Sequence, residues 1–281
     1  MNERAALLAA VLAAPADDMP RLVYADFLEE TGDPVDAARA HFIRAEIAAE
    51  RLPPEDPERE RLESQAARLF NKHGDAWNRE LPEWDRWYGT RLVYRRGFVE
   101  EVHTNFRRFA FGGGTLLAAV PVRYLALASR DGTLPFIDAM MASLSVPPDL
   151  SHIQTLRLGP HLRFTPAAQR RPAFQVDATD DLIALVCGYP SLTRLQTLIL
   201  AGNEIDDGRA ADLVRRLPES VFAGSLAELD LSDNRLTDAG AMALASANWP
   251  PGLTRLNLTG NDVGPASAAV LRERLGEGIV L

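Results

Sequence analysis

The groups in this 281-residue chain that could do proton, metal or nucleophile chemistry are five histidines, 39 carboxylates and one cysteine. His103, His152 and His161 occupy its middle and, with carboxylates nearby, could form an acid/base or metal site. Such sites need fixed spacing, such as two histidines one helical turn apart for zinc or a nucleophile on a tight Gly-x-Ser-x-Gly turn for acyl transfer. No HExxH, GxSxG or paired-ligand spacing occurs. His152 and His161 bracket an extended stretch, which holds them far apart. Asp26 and Glu30 lie one turn apart and could divide acid and base roles. The arginines that follow favour another reading, in which Asp26 with Arg39, or Glu30 with Arg44, tie two helices by ion pairs. Gly112, Gly113 and Gly114 lack the lysine and hydroxyl of a phosphate loop and read as a close turn. Cys187, in DDLIALVCG, reads as a buried thiol on an apolar helix. Neither a metal nor a cofactor is expected.

Composition narrows the partner. A net charge of −9 and a pI near 5.1 argue against a general nucleic-acid binder, because affinity for phosphates rests on positive charge. Lys72 is the sole lysine, and the arginine excess is read as coding bias. One cysteine permits no intrachain disulfide and no thiolate metal cluster, which fits a reducing, cytoplasmic setting. No apolar run reaches the ~18 residues of a membrane span. The opening MNERAALLAAVLAAPA has the short apolar run of a secretory leader, but Glu3 offsets Arg4 and the apolar text continues without a break, so it reads as a helix.

The elements that would position functional side chains are clearest near the C-terminus. LQTLILAGNEI (Leu195–Ile205), LAELDLSDNRL (Leu226–Leu236) and LTRLNLTGNDV (Leu253–Val263) are three copies of LxxLxLxxNxL. Alternation sends Leu229 and Leu231 one way and Glu228, Asp230 and Ser232 the other. Asn203, Asn234 and Asn261 stand where the chain turns, and an amide that both donates and accepts can satisfy the buried backbone there. A helical stretch follows each strand. Asp207–Leu217 places Ala211, Leu213, Val214 and Leu217 on one face, Asp238–Ala247 places Ala241, Leu244 and Ala245, and Pro265–Leu275 places Ala269, Leu271 and Leu275. Thr237 or Asp238 suits an N-cap and Pro265 a first helical position. One such unit cannot bury its apolar face alone, so units stack.

These motifs and repeat lengths resemble the ribonuclease-inhibitor class of leucine-rich repeats. The resemblance implies an α/β solenoid, with parallel strands on a concave face and helices on a convex one. Upstream repeats are degenerate and lack the asparagine. PVRYLALAS supplies Val122, Leu125 and Leu127, and IQTLRLGPHL supplies Ile153, Leu156 and Leu158. RRGFVEEVHTN gives a first strand from Phe98 to His103, Leu134–Leu144 a returning helix, residues 159–178 a loop insertion, and Gly278–Leu281 a closing half-strand.

The first residues read as helices: 3–14, about Met19–Thr31 with Leu22, Val23, Tyr24 and Phe27 inward, and Asp33–Pro34 to about Arg51 with Ala38, Phe42, Ile43 and Ile47 buried. RLVYADFLEETGD (Arg21–Asp33) and RAHFIRAEIA (Arg39–Ala48) resemble the repeat-companion domain, a short helical module of bacterial proteins that often also carry leucine-rich repeats. Phe27 stands where that family has tryptophan, and the link between the two runs is longer here. The resemblance implies a small all-α module and no activity. A further helix is expected from Arg59 to His73, stopped by Gly74, and Trp77, Trp84, Trp87 and Tyr88 then form an aromatic knot that packs the helical module onto the solenoid end. The division expected is a module at 1–51, a connector at 52–94 and repeats at 95–281, degenerate to 194 and regular from 195.

If the strands line a concave sheet, their outward positions are Glu101, His103, Tyr124, Ala126, Thr155, Arg157, Thr197, Ile199, Glu228, Asp230, Arg255 and Asn257. Solenoids present such surfaces to macromolecules. The expected function is a non-catalytic scaffold that binds a protein partner, with Tyr124 and Ile199 as the strongest contacts. The alternatives are a structural subunit of a larger assembly, or an enzyme.

Overall fold

A computed structural model describes residues 3–82, 90–128, 148–159 and 179–280. The chain divides into two compact units, residues 1–102 with 112–123, and residues 103–111 with 124–281.

The first unit begins with helices α1 (Glu3–Ala13), α2 (Met19–Glu30), α3 (Pro34–Glu50) and α4 (Pro57–Arg79). Local chemistry sets two of their starts. Asp33 accepts the Val35 and Asp36 N–H groups and Asp56 accepts that of Glu58, each followed by a proline that needs no helical donor. The buried side of α3 carries Ala38, Phe42, Ile43 and Ile47 as the pattern predicts. On α2 the buried face is Arg21, Tyr24, Ala25 and Leu28, so the expected face is rotated: Val23 is exposed, and Leu22 and Phe27 are half-buried. Helix α4 does not stop at Gly74. It runs on because Trp77, one turn later, is fully buried and stacks on Phe42 with ring centroids 5.1 Å apart. Trp84, Trp87 and Tyr88 lie outside the described residues.

A hairpin that the sequence reading missed completes this unit. Strand β1 (Arg91–Arg95) precedes β2 (Phe98–Asn105), which starts where the first strand was expected and contributes to this unit as far as Val102. Arg96 and Gly97, at φ 48° and 84°, form the turn, since a two-residue hairpin with positive φ at both positions matches the strands' twist. A Cβ on Gly97 would lie 2.1 Å from Ile43 Cγ1, so the turn packs directly on α3. A buried charge cluster fastens it. Arg21, with no exposed surface, places Nη2 2.7 Å from Glu100 Oε1 and donates to the Pro15 carbonyl at 2.8 Å. Arg96 donates to the same Glu100 oxygen at 2.8 Å. Burial holds Arg21 down at about 10 and pushes Glu100 up, in each case against the pull of the opposite charge. The ion pairs on the helix surface differ in partner from those expected. Arg44 meets Asp26 and Glu29, while Arg39 reaches Glu80.

The second unit is a mixed α/β array with a parallel sheet. Strands β3 (Tyr124–Ala128), β4 (Thr155–Gly159), β5 (Thr197–Ile199), β6 (Glu228–Asp230), β7 (Arg255–Asn257) and β8 (Ile279–Val280) pair in chain order, each parallel to the next. Helix α5 (Phe106–Leu117) begins in this unit and ends in the first. It contains Gly112, Gly113 and Gly114, which are therefore helical and not a turn. Helices α6 (Thr179–Gly188), α7 (Asp207–Arg216), α8 (Asp238–Ala245) and α9 (Pro265–Leu275) alternate with the later strands. The expected helix at 134–144, the insertion at 159–178 (past Gly159) and His161 fall outside the described residues.

One row of side chains forms the core of the ladder. Leu125, Leu156, Leu198, Leu229, Leu256 and Ile279 are in register and buried. The helices cover that side with Ala210, Leu213 and Val214 on α7, Ala241 and Leu244 on α8, and Ala268 and Leu271 on α9. Ala211 and Ala269, expected inward, are exposed. Consecutive helices are stapled at their starts: Thr237, the N-cap of α8, donates its N–H to Asp207 on α7 at 2.8 Å. Gly264 before α9 donates to Asp238 on α8, also at 2.8 Å. Cys187 is buried on α6, its thiol pushed up to about 12 by burial, which leaves it inert as a nucleophile.

Candidate functional site

Alternation along the parallel strands fixes a second face of the ladder. Its first row runs Tyr124, Thr155, Thr197, Glu228, Arg255, and its second runs Ala126, Arg157, Ile199, Asp230, Asn257, each residue beside the next across paired strands. Strands lie ~4.8 Å apart, so each row of five spans roughly 20 Å. All of these side chains are half-buried or exposed except Ala126, which has no exposed surface and is withdrawn from the surface set.

The turn asparagines hold the strands in this register. Asn234 donates from Nδ2 to the Leu200 carbonyl at 3.0 Å and to its own repeat's Leu231 carbonyl at 2.9 Å, and Asn261 repeats the pattern on Leu231 and Leu258. Asn203 donates to Leu158 at 2.8 Å. Because the strands are locked, the positions from which their outward side chains project form a fixed array.

The electrostatics of the array are mixed. Glu228 and Asp230 stand on one strand, with Arg255 Nη1 4.0 Å from Glu228 and Arg157 two strands away in the row of Asp230. Asp230 is held by the Ser232 N–H at 2.9 Å, and Asn257 by the N–H and hydroxyl of Thr259. Thr197 and Ile199 place a small polar and an apolar side chain between these charges. His103 and Tyr124 meet as rings 5.1 Å apart. Glu101 belongs to the first unit, where Arg95 donates to it at 2.9 Å.

The candidate residues of the second unit thus fall on one face, but they do not converge as an acid, base and nucleophile would. Among the described residues no group of three or more histidine, cysteine or carboxylate side chains is placed to hold a metal ion. No described helix is long and apolar enough to cross a membrane. An apolar cavity of about 40 Å³, lined by Phe106, Phe109, Leu158 and Tyr189 among others, offers no polar group with which to orient a ligand.

Comparison with known proteins touches the regular repeats. No curated protein matches the chain. Among solved structures, a crystal structure of a Bacteroides fragilis protein determined by structural genomics is 17% identical, with a TM-score of 0.38. The match covers 56% of this chain and only 40% of that one. A family model described as Leucine Rich repeat matches residues 225–245 and 252–271. These segments hold β6 with α8 and β7 with most of α9, so these two stretches of the chain are similar to leucine-rich repeats.

Proposed function

We propose that this chain is a non-enzymatic, cytoplasmic interaction scaffold of a bacterial cell that binds a protein partner through the outward face of its strands. In this reading the repeats from residue 95 form a solenoid of the ribonuclease-inhibitor-like class whose strands line the concave side. Residues 1–51 are a companion module and residues 52–94 its connector. The observation that carries the proposal is the register-locked array: Thr197, Glu228 and Arg255 beside Ile199, Asp230 and Asn257, fixed by leucines beneath and asparagines at the turns. An array of mixed polarity on a held backbone suits protein recognition, because a preorganised backbone loses little entropy on binding. Ile199 and Tyr124 are the anchors, and Glu228, Asp230, Arg157 and Arg255 set charge complementarity.

The test compares the wild type with Ile199→Glu/Asp230→Arg and with Met242→Glu on the exposed flank of α8 as baits in lysate of the native host, after circular dichroism shows all three folded. A protein lost from the face variant and kept by the helix variant supports the reading. Equal recovery by all three sinks it.

A further inference from the structure

The hairpin of the first unit exposes a strand edge to a groove. Among the described residues, strand β1 has β2 as its one neighbour in the sheet. The two-residue turn Arg96–Gly97 makes Arg95 and Phe98 the closing hydrogen-bonded pair, and alternation then turns the backbone N–H and C=O of Leu92 and Tyr94 away from β2. Along that side runs a groove of about 660 Å³, walled by α3 and α4 and lined by every residue of β1. That is within the ordinary size of a ligand cleft. Its apolar lining is aromatic, with Phe70 and Tyr94 rings 4.9 Å apart and Phe42 beside them.

The charges of the groove are unevenly matched. Arg59 donates to Glu63 at 2.8 Å, Arg95 to Glu101 at 2.9 Å and Arg96 to Glu100. Glu46, which also lines the groove, accepts only the Gly97 N–H, at 2.8 Å on Oε2, among the described residues. Its environment is charged but supplies no ion pair among the described residues: Glu50 on α3, Glu63 and Arg59 on α4, Arg91 and Arg95 on β1, Arg96 in the turn and Glu100 on β2. Burial, with no cation in contact, pushes Glu46 up to about 7.

We propose that this groove binds an extended peptide segment of a protein partner, which adds as a strand along Leu92 and Tyr94 and sets a lysine or arginine side chain against Glu46. Strand addition supplies affinity through the backbone, and side-chain pockets beside it supply specificity. A basic side chain is the chemistry Glu46 lacks, because a half-buried carboxylate gains most from a charged donor. The groove belongs to the first unit, so this inference stands or falls separately from the strand-face reading.

The experiment selects ligands for the full chain from a bead-bound random hexapeptide library, then measures selected peptides by fluorescence anisotropy. The expected ligands carry a lysine or arginine at one register position. Their affinity falls about tenfold with Glu46→Gln, which keeps an acceptor for Gly97, and weakens as pH drops through 7, where Glu46 takes up a proton. N-methylation of alternate peptide amides abolishes binding in one phase of the alternation. Leu92→Pro does the same from the protein side, since an outward edge N–H is where a strand tolerates proline. Failure to select any peptide, selection without a basic position, or binding indifferent to both N-methylation and Glu46→Gln overturns the proposal. The peptide chemistry keeps the test decisive even if Leu92→Pro misfolds.

Discussion

The backbone N–H of Asn203 donates to Oδ1 of Asn234 at 2.9 Å, so the turn of one repeat is held by a side chain of the next. The same oxygen takes the Ile205 N–H at 3.0 Å, and the Asn234 amide nitrogen returns a bond to Leu200. Five backbone groups in two repeats meet one buried amide once its bonds to Leu231 and Ser232 are included. Asn234→Ala removes the acceptor of the Asn203 and Ile205 N–H groups and the donor to the Leu200 carbonyl, while the Leu231 carbonyl keeps Asn261 and the Ser232 carbonyl keeps the Gly202 N–H. The expected loss is about 3 kcal/mol, the range for breaking a buried network. Asn261 is itself half-buried and bonds three backbone groups, at Leu231, Leu236 and Leu258, so Asn261→Ala is expected to cost less. Urea denaturation of both variants checks the order, and equal losses would refute the inter-repeat role of Asn234.

That network was legible in the sequence because the asparagine position is fixed by where a leucine strand must turn, and Asn203, Asn234 and Asn261 all stand there. In the repeats, Leu213, Val214, Leu217, Ala241, Leu244, Ala245 and Leu271 are buried as the pattern predicts, and only one alanine on each of two helices was read a residue out of phase. Ala210 and Ala268 are buried where Ala211 and Ala269 were expected, since neighbouring alanines offer no contrast for periodicity to detect. On the opposite face of the ladder, alternation identified the outward rows but could not foresee that Ala126 is covered. The hairpin carried a signal that was passed over: Arg96–Gly97 between RLVYR and FVEEV is a two-residue turn with strands on both sides. The burial of Arg21 and the unpaired state of Glu46 depend on which helices the hairpin lands on, a tertiary fact that local pattern does not contain.

The residue before each turn asparagine adopts the left-handed region: Gly202 at φ 72°, Asp233 at 56° and Gly260 at 76°. A Cβ on Gly202 meets nothing within 4 Å, so Gly202→Ala isolates backbone strain from packing. It is expected to cost about 1 kcal/mol. Asp233→Gly removes the same strain from the middle repeat and loses no described side-chain hydrogen bond, for a gain of a few tenths after the added flexibility of the unfolded chain, ~0.5 kcal/mol at most. Thermal denaturation of the pair should therefore move in opposite directions.

In the first unit the same backbone requirement meets a different neighbourhood. Gly32 and Gly97 both have positive φ, at 74° and 84°, but a Cβ at Gly32 meets nothing within 4 Å while one at Gly97 meets Ile43 side chain and backbone below 3.0 Å. Gly32→Ala is expected to cost about 1 kcal/mol. Gly97→Ala must also push the hairpin off α3, for a loss of more than about 3 kcal/mol. Hydrogen exchange should then show loss of protection in β1 and at the amide of position 97, which donates to Glu46. A small and equal effect at both glycines would mean that the turn is not packed on Ile43.

Glu46 gives the first unit a definite pH dependence. Its folded value is about 7 against an ordinary 4.5, raised mainly by burial. Between those values the folded chain holds a proton that the unfolded chain has released, so stability falls as pH rises from about 4.5, and the full penalty is present above 7. Glu46→Gln removes the ionisation while retaining an oxygen for the Gly97 N–H. The variant should be more stable than the wild type by ~2 kcal/mol at pH 8 and nearly equal to it at pH 4. Urea denaturation at the two pH values tests this. A variant destabilised at pH 8 would show that the carboxylate is already paired in the folded chain, whereas the expected gain measures the unfavourable charge that a basic side chain in the groove would relieve.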